Sequence, residues 1–232
     1  MRAVVCWDID GTLLTTARAG ILAVKDAVRE VCGVDADFGE LRTSGLTDAE
    51  VTALAAEAGT GERVDPATAT AVLRAYERHL PERLPLRNGR VLPGVQEILD
   101  DLAARPDVTC LLLTGNTATG AEAKLSHYGL WGYFAAGGAF CRDGEDRETI
   151  AGRARELAGR YLNGARADER IFVVGDSPAD VRCGRGIGAR TIAVATGVHS
   201  EEELAAAEPW LTLRGLPAPV DFARLLGIGA QA

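Results

Sequence analysis

The chain has 232 residues, of which 47% are hydrophobic and 25% are charged, a composition typical of a globular protein with a large core in one or two domains. Its net charge is −8 and it has no block of basic residues, so we expect neither nucleic acid nor a membrane as a partner. No apolar stretch approaches the roughly 20 residues that a membrane-spanning helix needs.

The first predicted element is a strand over residues 3–8, a short apolar run that Gly11 ends. Because this strand follows Met1-Arg2 directly, we expect no signal peptide and a cytoplasmic location. The five cysteines are scattered and form no C-x-x-C pair, which fits a reducing compartment. Cys6 and Cys110 lie in strand-like runs and are expected to pack in the core.

Four predicted helices follow, more than a single crossover connection requires. They span residues 17–32, 48–58, 66–79 and 94–104. The sequence Thr47-Asp48-Ala49-Glu50 is a capping box, and Asp65-Pro66 combines a cap with a first-turn proline. We therefore predict a helical cap domain over residues 17–86, with the Pro- and Gly-rich stretch 80–94 as the return linker. The remaining core comprises residues 1–16 and 87–232.

Three more strands follow this insertion and alternate with helical patterns. They span residues 108–115, 170–176 and 190–196. Strands that alternate with helices favour a mainly parallel sheet covered by helices on both faces. The predicted fold class is therefore α/β, a Rossmann-like sheet with an inserted helical cap, and its ligands are expected at the carboxyl edge of the sheet.

Asp8 and Asp10 stand at that edge, at the end of the first strand. Side chains alternate along a strand, so the two carboxylates are expected on one face. Their burial is costly unless a divalent cation compensates the charge. A carboxylate beside such a cation is a competent nucleophile toward phosphorus, and the second aspartate can serve as a general acid and base. A strand-end turn with solvated aspartates is the alternative.

The ends of two later strands carry further polar residues. Thr114, Gly115 and Asn116 precede a helix and can hold phosphoryl oxygens through hydroxyl and backbone N–H groups. Asp176 and Asp180 can complete an oxygen-rich site for Mg²⁺. Alternatively, Asp176 and Ser177 cap the following helix, and the two roles are compatible.

A cation is expected beside these carboxylates, to balance them and an incoming phosphate. Lys124 is the first candidate, because it lies on the helix after Thr114 in a chain whose only other lysine is Lys25. Arg147, just before the next predicted helix, is the rival candidate. An exposed surface lysine is the alternative interpretation of Lys124.

Four motifs thus occur in order: Asp8-Ile9-Asp10-Gly11-Thr12, then Thr114, then Lys124 or Arg147, then Gly175-Asp176-Ser177 with Asp180. This order resembles the haloacid dehalogenase-like hydrolase superfamily, and most closely its phosphatases with a helical cap, the group of phosphoglycolate phosphatase and β-phosphoglucomutase. The resemblance covers nearly the whole chain.

The resemblance implies Asp8 as the nucleophile and Asp10 as the general acid and base. It implies Mg²⁺ at Asp8, the backbone carbonyl of Asp10 and Asp176, with Asp180 in support. Thr114 and the lysine would hold the phosphoryl group. Two departures stand out: Trp7 replaces the usual phenylalanine, and the Lys-Pro pair common before the fourth motif is absent.

The resemblance to the superfamily alone does not give the reaction. Asp10 argues against a dehalogenase, because a halide leaving group needs no proton and these enzymes lack an aspartate at this position. A phosphatase is the first expectation and a phosphomutase the second. A receiver-like module phosphorylated on Asp8 is a third hypothesis, although receivers are about half this length and carry no such insertion.

Substrate choice is expected to depend on the cap. The stretch 41–51 lies between two cap helices, and its Arg42 and Ser44 are candidate substrate contacts. An enclosing cap favours a small phosphorylated metabolite. For the oligomeric state, the sequence is compatible with both a monomer and a dimer.

Overall fold

The computed structural model describes residues 2–35, 43–142, 145–162 and 170–228. The described strands are β1 (Ala3–Trp7), β2 (Leu14–Thr15), β3 (Arg90–Val91), β4 (Val108–Thr117), β5 (Gly138–Cys141), β6 (Ile171–Gly175), β7 (Arg190–Val194) and β8 (Leu211–Leu213). The described α-helices are α1 (Ala19–Cys32), α2 (Asp48–Thr60), α3 (Pro66–Arg83), α4 (Val95–Ala103), α5 (Ala118–His127), α6 (Arg147–Leu162), α7 (Pro178–Gly186), α8 (Glu201–Ala206) and α9 (Pro219–Leu225).

Six strands form one parallel sheet in the order β5-β4-β1-β6-β7-β8. β1 lies inside the sheet, where Val5 pairs with Cys110 of β4 and Phe172 of β6. All five residues of β1 are buried, and separate hydrophobic clusters cover the two faces of the sheet. The predicted α/β fold is confirmed. The short outer strands β5 and β8 were not predicted.

Helices α1, α2 and α3 pack against one another around an alanine-rich core. The predicted caps are present: Thr47 and Glu50 form the capping box of α2, and Asp65 caps α3 ahead of Pro66. α3 continues to Arg83 and is followed by a 3₁₀ turn over Leu84–Leu86, so the predicted linker over 80–94 is wrong for residues 80–86. Leu80 and Leu84 are buried in the core of these helices, which favours the helix despite Pro81.

The chain enters and leaves this helical unit along a two-stranded antiparallel ribbon, in which Leu14 pairs with Val91 and Thr15 with Arg90. Two residues after the end of β2, Ala17 and then Arg18 adopt left-handed φ angles of 48° and 69°. Such conformations cost non-glycine residues free energy and persist only where neighbours enforce them. The Nε of Arg87 donates to the carbonyl oxygen of Ala17 at 2.9 Å, and the Thr15 hydroxyl accepts from the Ala17 N–H.

All five cysteines are free thiols, and Cys6 is buried as predicted. Among the described helices, none has both the length and the apolar character that crossing a bilayer would require.

Candidate active site

Asp8 follows directly after β1 and lies at the carboxyl edge of the sheet. Its N–H donates to the carbonyl oxygen of Val174 at 3.0 Å, which continues the pairing of β1 with β6. The side chains of Asp8, Asp176 and Asp180 are each at most 5% exposed. One carboxylate oxygen from each of the three lies within 4.8 Å of the others.

The electrostatics of this cluster are unfavourable for three negative charges without compensation. Burial, followed by repulsion from Asp180, raises the pKa of Asp8 well above its usual range. The same two causes raise the pKa of Asp176 to about 8. Buried, converging carboxylate oxygens are the donor set that hard divalent cations prefer, so these residues fit Mg²⁺.

Arg147 is a cation in direct contact with the cluster. As the first residue of α6, it directs its guanidinium Nη1 to Oδ1 of Asp180 at 2.6 Å. Its charge opposes the upward pKa shift of Asp8. The other Asp180 oxygen, Oδ2, accepts from the N–H and hydroxyl of Ser177 in the capping box of α7. Ser177 therefore caps this helix, while Asp180 belongs to both the capping box and the carboxylate cluster.

The carboxylate of Asp176 occupies a space that is open because two neighbouring residues, Gly11 and Gly197, have no side chain. A Cβ atom at Gly197 would lie 1.7 Å from Oδ2 of Asp176, and one at Gly11 would lie 2.3 Å from the same oxygen. The hydroxyl of Thr12 donates to the other oxygen, Oδ1, at 3.2 Å. The orientation of Asp176 therefore depends on the first motif of the chain and on the loop after β7.

Asp10 stands beside the cluster and is 43% exposed. Its Oδ2 accepts from Lys124 Nζ at 2.6 Å and from Asn116 Nδ2 at 2.9 Å. Lys124 also donates to Oδ1 of Asn116 at 2.5 Å. The lysine is buried, so its interpretation as an exposed surface residue is wrong. Burial lowers the pKa of Lys124, but the negative charges of Asp10 and its neighbours outweigh this and raise it.

Both candidate cations thus lie at the site, where Lys124 pairs with Asp10 and Arg147 pairs with Asp180. Thr114 is buried beside them, and its hydroxyl oxygen accepts from the N–H and the Nδ2 of Asn116. Gly115 lies beneath the loop before α2, where a Cβ atom would come within 2.8 Å of the Leu46 carbonyl oxygen. The loop before α2 therefore covers the end of β4.

Of the two predicted cap contacts, Arg42 lies outside the described residues, and Ser44 borders the site. The Ser44 hydroxyl lies 3.1 Å from Nε2 of His199, which follows β7. Three further side chains, those of His199, Tyr76 and Asp48, line the cavity although no sequence pattern predicted them as site residues. In the sequence, Asp48 is recognisable only as part of the capping box Thr47–Glu50. No local pattern indicates that its side chain faces the sheet.

These groups surround a cavity of about 810 Å³ between the sheet edge and helices α1 to α3. Asp8, Asp10, Asp176, Lys124 and Arg147 line its floor. The opposite wall is largely apolar and comes from α1 and α2, with Ile21, Val24 and Val51. The arrangement can hold a phosphate at the floor and an organic group beneath the helices.

Comparisons with known proteins agree with this geometry. A family model described as HAD-hydrolase-like matches residues 151–216. The probable phosphatase IndB of Dickeya dadantii (strain 3937) is 31% identical over 216 residues, which cover 90% of this chain and 88% of that protein.

Solved structures show the same fold. A predicted phosphoglycolate phosphatase from Haemophilus somnus 129PT is similar, with a TM-score of 0.72, 17% identity and 97% of each chain covered. A β-phosphoglucomutase from Clostridium difficile is similar, with a TM-score of 0.68 and 17% identity, over 93% of this chain and 92% of that one.

The chain therefore belongs to the haloacid dehalogenase-like (HAD) hydrolases, as its four motifs indicated. Within that family it is a phosphatase.

Proposed function

We propose that the protein is a Mg²⁺-dependent phosphatase that hydrolyses a small phosphorylated metabolite through an aspartyl-phosphate on Asp8. The observation that carries this proposal is the convergence of the carboxylates of Asp8, Asp176 and Asp180, with Arg147 paired to Asp180. Asp8, Asp176 and Arg147 line the floor of the cavity. Buried carboxylates with raised pKa values at one point are typical of functional sites.

Mg²⁺ would be held by Asp8, the backbone carbonyl of Asp10 and Asp176, with Asp180 in support. When bound, it supplies positive charge that favours the ionised form of Asp8 and polarises the phosphoryl oxygens. The hydrogen bond from Thr12 and the ion pair with Arg147 hold Asp176 and Asp180 in position for this role.

In the first step, a carboxylate oxygen of Asp8 attacks phosphorus, the bond from phosphorus to the ester oxygen breaks, and Asp10 donates a proton to the departing oxygen. In the second step, Asp10 takes a proton from water as the water oxygen attacks phosphorus. The bond to Asp8 breaks, and inorganic phosphate leaves.

The two cations take different roles in this proposal. Arg147 acts on the charge of Asp8 and would bind the transferred phosphoryl group, together with the backbone at Gly115. Thr114 would contribute by holding Asn116, which is hydrogen-bonded to its hydroxyl oxygen. Lys124 and Asn116 both bind Oδ2 of Asp10 and so orient its carboxyl group.

Residues 17–86 would act as the cap of this enzyme. Three of its side chains, Ile21, Val24 and Val51, line the cavity opposite the carboxylates. Closure of such a wall excludes water during phosphoryl transfer to Asp8. A metabolite with a compact organic part would fit the enclosed space.

The test is phosphate release from an aryl phosphate with and without Mg²⁺, with wild type beside Asp8→Asn. We expect release that requires Mg²⁺ and is lost in the variant. Release that survives in Asp8→Asn would contradict the aspartyl-phosphate route. If a hexose 1-phosphate gives its isomer in place of free phosphate, the protein is a phosphomutase.

A further inference from the structure

Asp48 is the first residue of α2, yet both of its carboxylate oxygens are held by other elements. Oδ2 accepts from the N–H of Thr117 at 2.9 Å, and Oδ1 accepts from the hydroxyl of Tyr76 on α3 at 3.3 Å. Thr117 is the N-cap of α5, the helix that carries Lys124. On α5, a Cβ atom at Gly120 would lie 3.0 Å from Oδ2, so a glycine stands where the carboxylate approaches most closely.

The environment of Asp48 supports a negative charge that no cation pairs with directly. The carboxylate lies at the N-termini of both α2 and α5, where the helix dipoles favour an anion. Burial raises the pKa of Asp48 to about 6, with Lys124 opposing the shift, so the group is largely ionised at pH 8. Within the described part of the chain, no Lys, Arg or His lies in ion-pair contact with it.

This charge faces the substrate space. Asp48 lines the same cavity as Asp8 and Lys124, on the side of the cap, next to the apolar residue Val51. Lys124 is already paired with Asp10. Arg18 also lines the cavity but is exposed, so water and salt screen its charge.

Resting on the proposed function, we propose that Asp48 is a specificity-determining residue that selects phosphate monoesters with an uncharged organic part. An ester with a carboxylate or second phosphate on that part would place an anion against a fixed carboxylate in a partly dehydrated cavity. Specificity of this kind acts by repelling the wrong ligand. A purely structural role, in which Asp48 only anchors α2 to α5, would affect all substrates equally.

The experiment compares two phosphonates of matched skeleton, propylphosphonate and 3-phosphonopropionate, whose binding with Mg²⁺ at pH 8 is measured by calorimetry. We expect wild type to bind propylphosphonate at least about tenfold more tightly, since a buried like charge readily costs that factor. Asp48→Asn keeps an oxygen that can accept from Thr117 but removes the charge. It should narrow the ratio of the two affinities by about tenfold, mainly through tighter binding of 3-phosphonopropionate.

The matched control is Asp65→Asn, which removes one exposed carboxylate from the cap at the N-cap of α3, outside the cavity lining. It should leave the ratio unchanged. Equal affinities in wild type, or an equal shift of both ligands in Asp48→Asn, would overturn the inference in favour of the structural role.

The same comparison in turnover uses glycerol 3-phosphate and 3-phosphoglycerate, which differ in a hydroxymethyl group against a carboxylate. We expect kcat/KM to favour glycerol 3-phosphate in wild type and the preference to shrink in Asp48→Asn. If wild type discriminates between the two phosphonates but releases phosphate from no ester, the proposed selectivity of Asp48 stands and the phosphatase proposal is refuted. Release of phosphate from the esters with equal phosphonate affinities would support the phosphatase proposal and refute the selectivity. No binding of either phosphonate together with no release from any ester would contradict both proposals.

Discussion

Lys124 Nζ lies 2.6 Å from Oδ2 of Asp10, so one of only two lysines in the chain is buried against the carboxylate that we propose as the general acid and base. Arg147 occupies the corresponding position on Asp180, 2.6 Å from its Oδ1. The site therefore contains two separate charge pairs beside Asp8, and the pair of Lys124 with Asp10 supports the first prediction.

Lys124→Gln should lower kcat without a matching rise in KM, because the lysine orients Asp10 and is not the proposed phosphate ligand. General acid–base catalysis contributes about 10²–10⁴-fold, so we expect a loss of about 10–100-fold when the acid remains but its orientation is relaxed. Steady-state kinetics on an aryl and an alkyl phosphate measure this. Lys25→Gln on α1, the same change at the other lysine, should leave kcat within twofold or so of wild type. A large KM effect with unchanged kcat would instead make Lys124 a substrate ligand.

Asp10→Asn should nearly abolish turnover of alkyl phosphates, because asparagine cannot protonate their leaving oxygen. An aryl phosphate needs less protonation, so its first step should suffer less. Rapid-quench measurement of the aryl alcohol released in the first turnover separates the two steps. An identical loss in that first step for both substrates would refute the acid role of Asp10.

Gly197→Ala should disturb the metal site without unfolding the protein. A Cβ atom there would lie 1.7 Å from Oδ2 of Asp176, so the carboxylate must move. We expect Mg²⁺ affinity, measured by calorimetry, to fall by at least about tenfold, as for other changes that misplace metal ligands. Gly186→Ala is the control, because a Cβ atom at the end of α7 meets nothing within 4 Å. Unchanged Mg²⁺ affinity in Gly197→Ala would argue that Asp176 is not a ligand.

The stability of the metal-free protein should fall as pH rises between about 4 and about 8. Asp176 has a folded-state pKa raised to about 8, against a usual aspartate value near 3.8. Between these values the folded state holds a proton that the unfolded state has lost, so the free energy of unfolding decreases with pH. Each kcal/mol shifts the Tm of a domain of this size by about 2–4 °C.

Thermal unfolding with EDTA and with Mg²⁺, at pH values across this window, measures the effect. Mg²⁺ should flatten the slope, since it stabilises the ionised carboxylates, and Asp176→Asn should flatten it without metal. A metal-free Tm that rises steadily from pH 5 to pH 8 would contradict the raised pKa of Asp176.

Local sequence predicted the α/β fold and the strands that carry Asp8, Thr114 and Asp176, because each strand is a continuous apolar run with a polar residue at its end. It also predicted the caps of α2 and α3, whose signals lie within four residues. The linker predicted over 80–94 was wrong for residues 80–86, because burial of Leu80 and Leu84 among helices distant in sequence outweighs the local effect of Pro81. The outer strands β5 and β8 are too short to give a pattern.

In the candidate site, too, some features follow from local sequence and others depend on tertiary contacts. The sequence by itself determined that Asp8 and Asp176 meet at the sheet edge, since parallel strands end together and their polar end residues can be identified one strand at a time. Only the tertiary structure decided that Lys124 pairs with Asp10 while Arg147 pairs with Asp180, and that Asp48 of α2 binds the N-terminus of α5. These contacts join residues that are 114, 33 and 69 positions apart, and they depend on how helices pack, which no local pattern encodes.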